Sequence, residues 1–231
     1  MSARRWPEHT FAGWLPDRAR QMALELGTPI SYQPRQAMVR QGEESRYTLL
    51  LVSGHAKVTV NADGQDVLLA IRCPGDLVGE VAALAGRVRS ASVVAAGPVV
   101  ARLIKGSEFA DALDRHKDMW LAMVRSLAEQ LGAADRRAVD FVSCPAPVRV
   151  CRVIADLIES CGIRTPRGWQ PEFSMSQAEI ASLAGVGLST VEKSLVTMEQ
   201  RGVLERQYRQ IVISDQAELR RLGGLGRRNP Y

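Results

Sequence analysis

The hydrophobic period of this chain switches from that of strands to that of helices near residue 107, and the switch divides what the chain can fold into. From Tyr32 to Ile104 the apolar residues come in short runs broken by Gly and Pro. Residues 48–52 end at Ser53-Gly54. Residues 56–60 alternate small or apolar with polar side chains, and Asn61-Ala62-Asp63-Gly64 carries the Asp-Gly signature of a hairpin turn. Residues 67–71 return, and 92–95 and 99–104 flank a Gly97-Pro98 turn. Short strands with turns every 8–12 residues predict a sandwich or barrel. Residues 1–30, around Trp14, Leu15, Met22, Leu24 and Leu26, read as short helical pieces.

Beyond the switch the period is helical. Ser107 is placed to cap a short helix through Asp114, and a long helix is expected over residues 116–141. Leu113, Trp120, Leu127, Ala134 and Phe141 recur every seven residues, with Val124, Leu131 and Ala138 as a second row. That is an a/d seam, the pattern of two helices packed along their length. A helix packed on its own domain also carries an apolar stripe, but the length of this one favours self-association through residues 113–141. Pro145 and Pro147 mark a break. Residues 148–160 are helical again, with Val148, Cys151, Ile154, Leu157 and Ile158 on one face. Residues 161–173, with Gly162, Pro166, Gly168 and Pro171, read as loop.

Ser176-Gln177-Ala178-Glu179 is a capping box opening a helix to about Ala184. Gly185-Val186-Gly187 supplies a tight turn, and a second helix runs over Leu188–Gln200 with Val191, Leu195 and Met198 inward. This is a helix-turn-helix. Val203-Leu204, a polar turn at 205–210 and Ile211-Val212-Ile213 add a β-hairpin wing. Such a unit lays its second helix in the DNA major groove. Ser189, Thr190, Lys193, Ser194 and Thr197 are expected on the groove side, with Leu188 against a thymine methyl and Ser176 and Gln177 at the first helix start. Arg201, and Arg206 and Arg209 in the wing, are expected on phosphates, which set affinity and salt dependence rather than sequence choice.

A second cluster lies on a segment, residues 75–91, that reads as one loop: Gly75-Asp76-Leu77-Val78-Gly79-Glu80, followed by Arg89-Ser90-Ala91. Glycines let backbone N–H groups approach an anion. Arginine offers a two-pronged charged donor to phosphate oxygens, serine a hydroxyl, and glutamate an acceptor for a ribose hydroxyl. An ordinary loop can have the same letters, so the cluster alone leaves both readings open.

Composition bounds the rest. The 231 residues suffice for two modest domains, and a net charge of +5 permits nucleic-acid binding without requiring it. No apolar run approaches the roughly 20 residues of a membrane helix, and the start at Met1 is not a signal peptide, so a cytoplasmic location with no membrane partner is expected. Cys73, Cys144, Cys151 and Cys161 have no C-x-x-C spacing, and His9, His55 and His116 lie far apart. Free thiols are expected, with no metal, no haem and no iron–sulfur cluster. No nucleophile–base pair stands out, so an enzyme is not expected.

Taken in order, Val39-Arg40-Gln41-Gly42-Glu43, Leu49-Leu50-Leu51-Val52-Ser53-Gly54, residues 75–80, Arg89-Ser90-Ala91, Arg149 and residues 176–199 resemble the cyclic-AMP receptor / fumarate-nitrate regulator family of bacterial transcription factors. The resemblance spans nearly the whole chain and implies an α+β fold: an N-terminal cyclic-nucleotide-binding β-roll (jelly-roll) over 1–112, a dimerisation helix over 113–142 and a C-terminal winged helix-turn-helix over 143–231. It implies a homodimer on a palindromic double-stranded operator, with RNA polymerase as a further partner. In nucleotide-binding members, residues 79–91 would be the phosphate cassette. Gly79, Glu80 and the adjoining Val81 would meet ribose and backbone, and Arg89, Ser90 and Ala91 the cyclic phosphate. Cyclic AMP is the effector the family suggests, with cyclic GMP next. A site turned to another ligand such as cyclic di-GMP, or a ligand-independent regulator with a degenerate site, is the alternative.

The chain also departs from that receptor. Its base-reading Thr-Ser pair on the long helix matches Ala134 and Asp135, and a nearby arginine matches Gln130. Ala134 cannot hydrogen-bond a base, and ionised Asp135 only accepts. In the recognition helix an Arg-Glu start and a later Arg are replaced by Leu188-Ser189 and Lys193, which implies a different operator. The oxygen-sensing branch carries an N-terminal cysteine group, and here no cysteine precedes Cys73.

Overall fold

The computed structural model describes residues 6–207 and 210–226. The chain divides into two compact units, one up to Ala133 and one from Ala134 on.

The first unit opens with α1 (Phe11–Trp14) and α2 (Asp17–Glu25). Eight strands follow: β1 (Thr28–Tyr32), β2 (Ala37–Val39), β3 (Tyr47–Ser53), β4 (Ala56–Ala62), β5 (Gln65–Arg72), β6 (Leu77–Val78), β7 (Ser92–Ala95) and β8 (Val99–Lys105). They form two antiparallel four-stranded sheets, β1-β8-β3-β6 and β2-β7-β4-β5. Three helices follow: α3 (Glu80–Ala85) between β6 and β7, then α4 (Gly106–Arg115) and the long α5 (Lys117–Ser143), whose residues from Ala134 on belong to the second unit.

Strand β3 shows why this stack forms. Leu49, Leu50 and Leu51 are all fully buried, and successive strand side chains point to opposite faces. Leu49 and Leu51 therefore join Met38, Val93 and Val99 in the core between the sheets. Leu50, with Leu77 and Ile104, packs under Phe11, Phe109 and Met119 from the helices. The Phe11 and Phe109 rings meet edge to face at 6.1 Å between centroids. The hairpin expected at Asp63-Gly64 closes β4 onto β5, with Ala62 opposite Gln65.

Several expectations change here. Residues 75–91 are not one loop, because β6 and α3 lie within them. Ser107 does not cap α4; Lys105 holds the N-cap position without a side-chain cap bond. Leu113 belongs to α4 and is buried in this unit's core, so it leaves the seam. On α5, Trp120, Val124 and Leu131 are exposed, Trp120 at 56%.

The second unit is built on α6 (Ala146–Cys161), which buries Val150, Cys151, Ile154, Leu157 and Ile158. Around it stand α7 (Gln177–Ala184), α8 (Leu188–Gln200), α9 (Gln216–Leu222) and a four-stranded sheet in the order β11-β12-β10-β9. Residues 161–173 are therefore not a loop: β9 (Gly162–Thr165) and β10 (Gly168–Pro171) pair as a hairpin. Trp169 opposite Ile213 joins that hairpin to the wing, β11 (Leu204–Gln207) and β12 (Gln210–Ile213). Cys73, Cys151 and Cys161 are buried and Cys144 is partly exposed. Among the described residues no helix is long and apolar enough to cross a membrane.

Truncating Phe109 to Ala removes a fully buried ring from the contact between helices and sheet. The expected loss is about 3–5 kcal/mol, measured as a lower urea midpoint at unchanged slope.

Candidate effector site and nucleic-acid interface

The cassette is shaped by Arg89, which is 2% exposed. Its Nε donates to Ser45 Oγ at 2.9 Å, Nη2 to the Tyr47 carbonyl at 2.5 Å and Nη1 to the Gly79 carbonyl. The guanidinium also lies over the Tyr47 ring, 4.9 Å from its centre. The backbone is tied as well: Arg89 N–H donates to Glu43 O at 3.0 Å and Gly42 N–H to Arg89 O at 2.8 Å. Gly79 is required twice over. It takes φ 79° as the N-cap of α3, a left-handed conformation that disfavours a side chain, and a Cβ there would collide with the Arg89 guanidinium.

Glu80 follows as the first residue of α3 and is buried. Burial pushes its carboxyl above the usual range; a backbone hydrogen bond and the nearby Arg72 and Arg89 guanidiniums pull the other way, and Asp76 adds to the rise. Burial likewise lowers the Arg89 guanidinium. Gly79, Glu80 and Arg89 thus come together as the sequence suggests. The hydrogen-bond partners of the Arg89 guanidinium are two carbonyls and a hydroxyl. Val81 and Ser90 are exposed and Ala91 is partly exposed. Gln130 accepts from Arg72 Nη2 at 2.7 Å. Ala134 and Asp135 belong to the second unit, exposed on α5. Ser45, Tyr47 and Arg72 carry no motif that would have marked them.

In the second unit Ser176 Oγ accepts from Glu179 N–H, and the Glu179 carboxylate accepts from Ser176 N–H, completing the capping box. α7 ends at Gly185 with φ 59°, where a Cβ would also press on the Phe141 ring. Arg149 fixes this turn. Its Nε and Nη2 donate to the carbonyls of Ala184 (2.9 Å) and Gly185 (3.0 Å), and its Nη1 to those of Phe141 (3.2 Å) and Cys144 (3.1 Å). It also stacks on the Phe141 ring at 5.0 Å. One side chain thereby joins the end of α5 to the helix-turn-helix.

On α8, Leu188, Ser189, Lys193 and Thr197 are exposed and Thr190 partly so. Ser194 is not on that face: it is buried, and its Oγ donates to the Thr190 carbonyl at 2.7 Å. Gln177 and Arg201 are exposed, Ser176 partly so. Arg206 is exposed but held by Glu199, with Nε 2.7 Å and Nη2 2.6 Å from Oε2. That pair lowers the Glu199 carboxyl below its usual range. Arg209 lies outside the described residues.

Both halves match known domain families. Residues 29–116 match the cyclic nucleotide-binding domain, and residues 148–222 match the Crp-like helix-turn-helix domain. The chain belongs to the CRP/FNR family of transcription regulators. A CRP-like cAMP-activated global transcriptional regulator of Mycobacterium tuberculosis is 24% identical over 212 residues, covering 91% of this chain and 94% of that protein. A CRP-family transcriptional regulator from Thermus thermophilus has the same fold, with a TM-score of 0.72, 22% identity and coverage of 84% of this chain and 96% of its own. The c-di-GMP responsive global regulator CLP of Xanthomonas campestris superposes with a TM-score of 0.68 at 17% identity, over 87% of this chain and 100% of its own. The family's helix-turn-helix makes this chain a DNA-binding regulator with a nucleotide-binding-type sensor domain.

Two outcomes follow from the geometry. A group whose folded pKa is raised adds stability below its unfolded pKa and loses it as pH rises through the folded value. Glu80→Gln, neutral at every pH, is therefore expected to gain in Tm relative to the native protein as pH rises from about 5 to about 8. A constant difference across that range would refute a titrating Glu80. Arg149→Leu is expected to lower the stability of the second unit by about 2 kcal/mol. Arg149→Lys is not expected to restore it, because an ammonium cannot span four carbonyls as a planar fork does; urea titration measures both.

Proposed function

We propose that this regulator is a homodimer that binds a cyclic nucleotide at the residue 79–91 cassette and a palindromic DNA operator through its two helix-turn-helix units. The observation that carries this reading is the Gly79–Glu80–Arg89 cluster, built in one unit of a chain whose other unit is a Crp-like helix-turn-helix. A phosphate has the charge to compete for Arg89, since a guanidinium fork pairs bidentately with phosphate oxygens, two parallel N–H···O bonds between opposite charges. Ser90, exposed beside it, adds a hydroxyl and Ala91 a backbone contact.

Self-association is supported by Trp120, Val124 and Leu131 of α5, large apolar side chains left exposed along one helix at seam spacing. Two copies then present two α8 helices to successive major grooves, about 34 Å apart. Leu188, Ser189, Thr190, Lys193 and Thr197 read the bases, and Ser176, Gln177, Arg201, Arg206 and Arg209 meet the backbone. The protein acts in the cytosol, where it meets DNA and RNA polymerase. The M. tuberculosis relative, a cAMP-activated regulator by name, supports cyclic AMP as a starting ligand. Ala134 and Asp135 in place of a hydroxyl pair support an altered base preference, since a carboxylate accepts from guanine N1–H and N2–H or from the adenine N6 amine.

A second reading is favoured by one observation: Arg89 is buried, with three of its donors already spent on the protein. On that reading the cassette is structural and DNA is bound without a ligand. Calorimetry with cyclic AMP, cyclic GMP and cyclic di-GMP separates the two. Micromolar or tighter binding that is lost in Arg89→Ala supports the sensor. Operator binding that is unaffected by any nucleotide, with no heat of binding, supports the second reading.

The DNA face yields a test of its own. Glu199→Gln releases Arg206 and is expected to tighten binding to a selected operator. It should also steepen the dependence of log K on log salt concentration by roughly one ion. An unchanged slope would remove Arg206 from the phosphate contacts.

A further inference from the structure

Two arginines act on the buried Glu80 carboxylate, and they are held in opposite ways. Arg89 spends three donors on the Ser45 hydroxyl and the Tyr47 and Gly79 carbonyls. Arg72, at the end of β5, gives one N–H to Gln130 of α5 at 2.7 Å, its single side-chain hydrogen bond among the described residues. A guanidinium carries five N–H donors, so Arg72 is oriented yet keeps most of its fork available. Its partner is a neutral amide, so its charge is kept as well. It is partly exposed, whereas Arg89 is closed off. The cassette therefore has a second cation beside Glu80, carried by strand β5 and tied to helix α5 rather than to the segments that hold Arg89.

We propose that Arg72, oriented by Gln130, contacts the bound effector directly and selects a guanine base. The inference rests on the cassette binding a nucleotide, as argued above. With the phosphate on Arg89, the base is the group left to reach Arg72. An arginine fork matches the paired acceptors O6 and N7 of guanine, whereas adenine sets an N6 amine, itself a donor, beside N7. Gln130 supports the same choice, because its amide NH2 remains to donate to O6 while its oxygen holds Arg72. Cyclic GMP and cyclic di-GMP both present that edge and are the two sources of it.

The test is calorimetry on the full-length protein with cyclic AMP, cyclic GMP and cyclic di-GMP, for the native chain and for Arg72→Leu, Arg72→Lys, Gln130→Leu and Arg89→Ala. The native protein is expected to bind one of the guanine nucleotides roughly tenfold or more tightly than cyclic AMP, and the better of the two identifies the source. Arg72→Leu is expected to abolish that preference with an unchanged circular dichroism spectrum. Arg72→Lys keeps the charge but not the fork and is expected to lose the preference too. Gln130→Leu, at a partly exposed helix position, is expected to weaken it and provides the test should Arg72→Leu fail to fold. A preference for cyclic AMP in the native protein overturns the proposal. So does guanine binding that depends on Arg89 but is indifferent to Arg72 and Gln130, which would leave the sensor reading standing. Absence of any nucleotide binding defeats the sensor reading and this inference with it.

Discussion

The sensor unit depends on burying one guanidinium. Taking a charge out of water is costly unless its donors are matched, and Arg89 is matched from three places at once. Ser45 and Tyr47 lie at the entrance to β3, and Gly79 caps α3. Removing any one partner leaves a buried donor unpaired, so these segments are fixed together. The Gly79 backbone is then forced to come within hydrogen-bonding distance of the guanidinium, which leaves no room for a side chain. The cassette's shape is thus a consequence of its arginine as much as a frame for it. A ligand anion that takes Arg89 must also release three segments of chain, which gives binding a structural consequence inside this unit.

The second unit uses the same device with a different geometry. Arg149 gathers four carbonyls, two from the end of α5 and the residues after it and two from the turn between α7 and α8. Carbonyls at a helix C-terminus have no partner within the helix, and cations are favoured there. Arg149 answers both requirements for two helices at once. Arg152 adds to this arrangement, pairing with Asp140 and donating its Nε to the Gly223 carbonyl at 2.7 Å. A change in the α5 terminus therefore reaches the helix-turn-helix through hydrogen bonds and not through apolar contact alone.

Much of this was legible in the sequence, and the reasons are physical. The capping box at Ser176–Glu179 and the glycine turn after Ala184 are local, set by residues three or four apart, and both appear as read. The strands of the first unit follow from a period of two and from turn residues. What escaped was long-range. Residues 161–173 look like loop because Gly162, Pro166, Gly168 and Pro171 dominate them, yet pairing with β12 through Trp169 makes them strands. Ser194 carries the small polar side chain of a base-reading residue, but helix rotation places it inward, its hydroxyl returned to the Thr190 carbonyl. Leu113 matches the heptad count, but the chain breaks between α4 and α5 and resets the register. Ser45 and Tyr47 act on Arg89 from more than 40 residues away, through a backbone carbonyl in one case, and side-chain identity says nothing about that.

The DNA face follows a related logic. A mildly basic chain would be expected to offer unpaired arginines to phosphates, but Arg206 is already held by Glu199 across the gap between α8 and the wing. That pairing aligns the wing with the recognition helix before DNA arrives, at the expense of one cation's worth of attraction. Lys193, exposed on α8 beside the equally exposed Glu192, is then the cation of that helix, among Ser189, Thr190, Thr197 and Leu188. Small hydroxyls and one aliphatic side chain contribute little nonspecific affinity, because nonspecific affinity comes from phosphate neutralisation. They can still discriminate bases where a methyl group or an acceptor edge is present. A helix so composed gives up general attraction to DNA in exchange for selectivity, and on the proposed sensor reading a coupling of only about 1–3 kcal/mol would be enough to control binding.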